Sequence, residues 1–154
     1  MKKLILVSAL LGLFLVSCGS KSSATEQDVT DEMAAKENTI SNLDGIWELN
    51  YISGPKIAFE GLYRDKKPFL SFNTKEGRVS GNSSCNSFTG NASISESRLR
   101  LDENLAMTKM FCPGEGENAF MDTLKKVNTY SISDEGKTLN LMMGDIAIMR
   151  FQKK

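Results

Sequence analysis

The chain has 154 residues, 40% of them hydrophobic and 25% charged, with 19 basic and 19 acidic side chains and no histidine. That length fits about one domain, and the balanced charge leaves no basic field for nucleic acid. Without histidine, Ser-His-Asp and Cys-His catalysis and imidazole zinc sites are excluded.

At the amino terminus, Lys2 and Lys3 precede an apolar run over residues 4–16, closed by Ser17 and Cys18. A basic start, a short apolar centre and a small residue at the cleavage point predict an export signal over 1–17. Those thirteen positions, if helical, reach about 20 Å, well short of a hydrocarbon core of roughly 30 Å. The tetrad Leu15-Val16-Ser17-Cys18 resembles a bacterial lipobox. That resemblance implies cleavage before Cys18, lipid on its thiol and acylation of the new amino terminus. An ordinary cleaved signal with a chance cysteine is the alternative. Loss of Lys2 and Lys3 leaves 17 basic minus 19 acidic side chains, or −2. No polybasic stretch is present to hold anionic lipid, so attachment is expected from acyl chains such as palmitate alone, and stable anchoring takes more than one.

If Cys18 carries lipid, Cys85 and Cys112 remain. An even pair in an exported chain usually forms a disulfide, here contributing about 3–4 kcal/mol in the chain-entropy description. Two free thiols are the alternative, without a C-x-x-C spacing to favour redox chemistry.

Residues 18–41 read as a lipidated, flexible tether. The stretch 20–28 is polar and lacks apolar periodicity, so it cannot bury enough surface to offset its ordering entropy. A flexible chain of that length reaches about 25 Å root-mean-square. The folded domain is expected over 42–154. Trp47, Leu49 and Tyr51 alternate with Glu48 and Asn50, as in a half-buried strand. Ser53-Gly54-Pro55 is a turn, and 57–59 a short strand. Residues 68–73 and 78–81 form a hairpin about Lys75-Glu76-Gly77. Residues 82–90 read as an ordered polar loop, 92–95 and 98–101 as strands about Glu96-Ser97, and 105–111 as strand or extended edge. The period then changes. Phe120, Leu124 and Val127 fall at i, i+4, i+7, one face of a helix over 116–128. Pro113, Glu115 and Glu117 suit its start, and Lys125 and Lys126 its end. Three strands close the chain, at 130–133, 138–142 and 146–151. Such short links require antiparallel pairing. The expected fold is α+β: a curved, mostly antiparallel, partly barrel-like sheet of short strands with one packed helix.

The ordered part resembles the META / HslJ-like domain of bacterial exported proteins. Leu43-Asp44-Gly45-Ile46-Trp47-Glu48-Leu49 is similar to the family's opening strand. Residues 81–90, Gly81-Asn82-Ser83-Ser84-Cys85-Asn86-Ser87-Phe88-Thr89-Gly90, resemble its G-x-x-x-C-N-x-[FY]-x-G loop. Ala106-Met107-Thr108-Lys109-Met110-Phe111-Cys112 resembles its A-x-T-x-M-x-C segment, and 117–130 its E-x-x-F-x-x-x-L-x-x-V-x-x-Y helix. The resemblance covers about 42–153. It departs in a longer charged insert at 60–67, around Tyr63. It implies a curved antiparallel sheet with one helix on it, supports pairing of Cys85 with Cys112, and links the chain loosely to envelope stress and heat response. It implies no catalytic activity.

Asn82, Asn86 and Thr108, with Cys85, form the most distinctive polar set. They are either a recognition surface or the architecture of a loop, since asparagine side chains bond nearby backbone. Met107, Met110, Met142, Met143 and Met149 offer soft thioethers, but without a tandem M-x-x-M cluster they read as adaptable filler, with Met107 and Met149 inward. No two of Asp102, Glu103, Glu115 and Glu117 are spaced to suggest a glycosidase pair. No cofactor, metal or catalytic residue is expected. Gly45-Ile46-Trp47 also resembles the G-x-W start of lipocalin-like barrels, which carry apolar ligands. The inserted helix and the short chain argue against a full ring of eight strands. The leading expectation is a lipid-anchored, non-enzymatic envelope protein, on the periplasmic face of the outer membrane, whose domain binds an envelope protein or small ligand. The alternatives are a carrier of a small apolar ligand and a periplasmic protease inhibitor presenting 60–67 or 82–90.

Overall fold

The computed structural model describes residue 40 and residues 42–154; the signal, Cys18 and nearly all of the expected tether lie outside the described residues. The strands are β1 (Gly45–Ile52), β2 (Phe69–Asn73), β3 (Arg78–Asn82), β4 (Ser87–Ser95), β5 (Arg98–Leu101), β6 (Ala106–Met107), β7 (Thr129–Ser133), β8 (Thr138–Met143) and β9 (Ile146–Lys153). Two helices join them, α1 (Phe59–Leu62) and α2 (Gly116–Leu124).

All pairings are antiparallel, as the short links demand. The order is β3-β2-β1-β9-β8-β7-β5-β4-β6, and an additional β3–β4 pairing closes eight of these strands into a ring. This corrects the expectation that helix and chain length forbid eight strands. The helix takes no place in the wall. The chain leaves β5, lays β6 against β4, forms α2 and returns at β7. The β5–β7 seam is thin: one pair, Arg98↔Thr129, flanked by Leu99 N–H to Asn128 O at 3.2 Å and Tyr130 N–H to Ser97 O at 2.8 Å.

The helix closes the barrel from within. Phe120 is 0% exposed, with its ring centroid 6.1 Å from Phe88 on β4 and 6.5 Å from Phe151 on β9. β4 and β9 are four strands apart in either direction around the ring, so Phe120 touches opposite walls. Leu124 and Val127 are buried with it, as the i, i+4, i+7 spacing requires. Trp47, Leu49, Leu70, Leu99, Leu139, Leu141, Met149 and Phe151 fill the rest of the interior.

Two bulges explain where alternation misleads. Asn50 has no partner between Leu49↔Phe151 and Tyr51↔Arg150. The extra residue turns the following side chains over, so Ile52 is buried and Tyr51 faces out beneath the Arg150 guanidinium, 5.6 Å from its ring centroid. On β9, Ile148 is skipped between Leu141↔Met149 and Met142↔Ala147, which lets the neighbours Ile148 and Met149 both be buried.

The Leu43-Asp44-Gly45-Ile46-Trp47 opening closes the other end. Trp47 Nε1 donates to Leu43 O at 2.8 Å, and the Asp44 carboxylate accepts from Thr74 N–H at 2.6 Å and Thr74 Oγ1 at 2.9 Å. The strand expected at 57–59 is instead a bend at Ile57 followed by the start of α1 at Phe59. β6 is shorter than the expected 105–111.

Candidate functional site

The expected loop at 82–90 is mostly strand. Only residues 83–86 turn between β3 and β4, with Ser83 N–H donating to Asn86 O at 2.9 Å and Ser84 at φ 87°. Gly81 lies opposite Leu70 and Phe88, and a side chain there would run into the Phe69 carbonyl and the Phe88 ring. Close approach therefore accounts for the glycine that starts the motif.

Asn86 organises everything around this turn. It is 2% exposed. Its Oδ1 accepts from Thr108 Oγ1 and from Met110 N–H, both at 2.8 Å. Its Nδ2 donates to Met110 O at 3.1 Å and to Glu117 Oε1 at 3.0 Å, with Cys112 Sγ also at 3.0 Å. Its main-chain N–H lies 3.1 Å from Glu117 Oε2. Ser83 Oγ donates to the same Oε2. A buried amide whose donors and acceptors are all engaged holds its partners rigidly, and an unpaired one costs about 1–3 kcal/mol.

The disulfide Cys85–Cys112 lies over this knot, with Cα atoms 6.0 Å apart. Thr108 Oγ1 accepts from Ser87 N–H at 3.1 Å while donating to Asn86. Three chain segments are thus locked together: the 83–86 turn, residues 108–112 and the first turn of α2. Glu117 stands in the first turn of α2, as expected, and from there its carboxylate reaches the 83–86 turn.

Of the recognition-surface candidates Asn82, Asn86 and Thr108, the two asparagines are buried and all three side chains bond within this part of the fold. Asn82 is 3% exposed; its Nδ2 donates to Ser87 Oγ at 3.2 Å and Cys85 O at 3.4 Å, and its Oδ1 has no partner among the described residues. Thr108 is exposed, but its hydroxyl both donates and accepts within the knot. Lipidation at Cys18 lies outside the described residues.

Tyr63, in the charged insert, is buried, and its hydroxyl donates to Gly116 O at 3.0 Å. Burial pushes its pKa up to about 12. A Cβ at Gly116 would approach the Leu62 carbonyl to 2.7 Å and the Tyr63 ring to 3.0 Å, so glycine lets the insert seat against α2. Sequence reasoning missed Tyr63 because its partner is a main-chain carbonyl far along the chain.

What the knot presents is the segment 109–111. Phe111 is 92% exposed and Met110 60%. Beside them runs a cleft of about 580 Å³, lined among others by Ile57, Tyr63, Arg64, Lys66, Met110 and Glu115. The filler role fits Met149, which is wholly buried, and not Met110 or Met143, which are exposed. A second groove, about 840 Å³, lies outside the ring between α2 and β5–β6, floored by Leu105, Met121 and Leu124 with Arg100 and Lys126 on its lining.

A helix-plugged antiparallel barrel with a disulfide clamp over the 83–86 turn defines the class. The chain belongs to the META domain family, whose sequence pattern matches residues 38–154. No curated protein matches it. Solved structures share the fold: a protein from Burkholderia xenovorans solved by NMR, at 20% identity, covering 76% of this chain and 87% of its own, TM-score 0.59. A second NMR structure has 21% identity, coverage of 72% and 90%, and TM-score 0.54. A DUF4847-family protein from Bacteroides vulgatus ATCC 8482 has 15% identity, coverage of 73% and 94%, and TM-score 0.50.

Proposed function

We propose that this is a lipid-anchored envelope protein whose META domain works by binding, in support of envelope stress or heat tolerance. One observation carries the binding reading: the polar groups of the family motifs hold each other, through Asn86, Ser83, Thr108 and Glu117, and the product is a rigid exposed tip. Anchoring rests on Leu15-Val16-Ser17-Cys18, and the expected address is the periplasmic face of the outer membrane.

Mass measurement of the mature chain from membranes tests the anchor: cleavage before Cys18 with acyl groups is expected, and an uncut, unacylated chain overturns it. A deletion strain tests the stress role; it should lose viability after heat or envelope stress and recover with the intact gene. Unchanged survival sinks that part.

The alternatives find less support. A carrier needs room inside the barrel, where Phe120 spans from Phe88 to Phe151. An inhibitor needs a protruding loop, yet 60–67 is fastened by Tyr63 and 82–90 is largely strand.

A further inference from the structure

We propose that Cys85, Cys112 and Glu117 form a redox-gated site for zinc, shut while the two sulfurs are bonded to each other and opened when a dithiol reduces them. One ligand atom from each of the three residues lies within 4.8 Å of the others, and all three side chains are half-buried. Sequence spacing gives no sign of this set. Cys85 and Cys112 stand 27 residues apart, and the carboxylate arrives from the first turn of α2. Two sulfurs each held about 2.3 Å from a tetrahedral zinc stand about 3.8 Å apart. Side-chain rotation supplies that separation with the Cα atoms left 6.0 Å apart.

The surroundings keep the set together once the disulfide is open. Asn86 holds both the N–H and the carbonyl of Met110, so Cys112, two residues on, stays beside Cys85. Asn86 Nδ2 also lies 3.0 Å from Cys112 Sγ, placed to donate to a thiolate there. Hydrogen bonds of this kind orient metal ligands and tune them. Glu117 has room for a metal. A carboxylate offers about four lone-pair sites, and Ser83 Oγ, Asn86 N–H and Asn86 Nδ2 take three of them. All three ligands line the cleft of about 580 Å³, which gives a path from solvent and a water for the fourth position. Its charged lining is Asp65, Glu115 and Glu117 against Arg64 and Lys66, net acidic by one, which suits a cation. Thiolates select soft or borderline metals, and the carboxylate oxygen sets zinc ahead of copper(I).

The dithiol gives two electrons and two protons to the Cys85–Cys112 bond and leaves as its own disulfide, freeing two thiols. Zinc then displaces the two thiol protons, forming two Zn–S bonds and one bond to Glu117. The cation fastens the same two chain segments as the disulfide, so it takes over the staple's role when the covalent bond is lost.

The full chain, purified in detergent, is reduced with a phosphine and titrated with cobalt(II) as a spectroscopic stand-in, then with zinc. One cobalt per chain is expected, with thiolate-to-metal charge-transfer absorption that zinc bleaches. X-ray absorption of the zinc form should show two sulfurs at about 2.3 Å. The oxidised chain should bind neither metal. Zinc should raise the Tm of the reduced chain and leave that of the oxidised chain unchanged. Glu117→Gln should weaken binding about tenfold, while Glu115→Gln in the same cleft, and Cys18→Ser, keep the parent affinity. The sulfur count is read from the parent chain, so the test stands even where a variant unfolds. Zinc without two sulfur neighbours, equal binding by the oxidised chain, one metal shared by two chains, or equal losses in Glu115→Gln and Glu117→Gln would each overturn the inference. None of these results depends on the anchor or on the stress role.

Discussion

Asn86 and Glu117 are joined twice: the main-chain N–H of Asn86 meets one carboxylate oxygen at 3.1 Å and its side-chain amide meets the other at 3.0 Å. The pair ties the 83–86 turn to the helix that plugs the barrel. Asn86→Ala should cost about 3 kcal/mol, since it strands Met110 N–H, Met110 O and the carboxylate together. Asn86→Asp should cost at least as much, because it sets a second carboxylate against Glu117. Glu117→Gln, which keeps one acceptor, should cost about 1–2 kcal/mol. Urea unfolding of the three variants and of the Asn86→Ala/Glu117→Gln double variant checks the order; strict additivity would deny the coupling.

Two tyrosines should part company. Tyr63 donates to Gly116 O, so Tyr63→Phe should lose about 1 kcal/mol at neutral pH. The Tyr130 hydroxyl is buried without a partner among the described residues, so Tyr130→Phe should be neutral or slightly stabilising.

Alkaline stability follows from the same residues. Both phenols are raised by burial, Tyr63 from 10.0 to about 12. Below 10 both folded and unfolded chains keep the Tyr63 proton, and the full stability is present. Between 10 and 12 the unfolded chain releases it first, so stability falls as pH rises through this window. Denaturant midpoints across that range should drop for the parent chain and drop less for Tyr63→Phe; equal slopes would contradict the burial argument.

The clamp has two fastenings, covalent and polar. Opening Cys85–Cys112, by reduction or by Cys85→Ser with Cys112→Ser, should cost about 3–4 kcal/mol. Met110 should still be held by Asn86. Amide exchange at Met110 should therefore stay protected in the reduced chain and be lost in Asn86→Ala.

Phe120→Ala should be the most damaging single truncation in α2. It removes a wholly buried ring between two walls and should cost about 3–5 kcal/mol. Thermal unfolding measures this, and a loss below about 1 kcal/mol would mean the ring is not interior.

Local pattern was readable where neighbours in sequence are neighbours in space. The hairpins at 69–82 and 129–153 and the helical face of Phe120, Leu124 and Val127 fall in this group. What depends on distant partners was not. Closure needs Trp47 beside Lys153 and Arg98 beside Thr129, and no period records either pairing. Tyr51 alternates correctly with Trp47 and Leu49 yet faces out, because Asn50 is a bulge that only the register with β9 reveals. The motif polar residues were identifiable as a set. Their inward direction was not, since Asn86 is paired by segments more than twenty residues downstream.

The thin seam between β5 and β7 has a consequence for how the molecule breathes. Every other join in the ring spans at least four residue pairs, while this one rests on Arg98 and Thr129. Fluctuations that part the wall will concentrate there, beside the groove floored by Leu105, Met121 and Leu124. Water would reach the plug's flank from that side first, while the far wall, stitched by β9 to β1, stays shut.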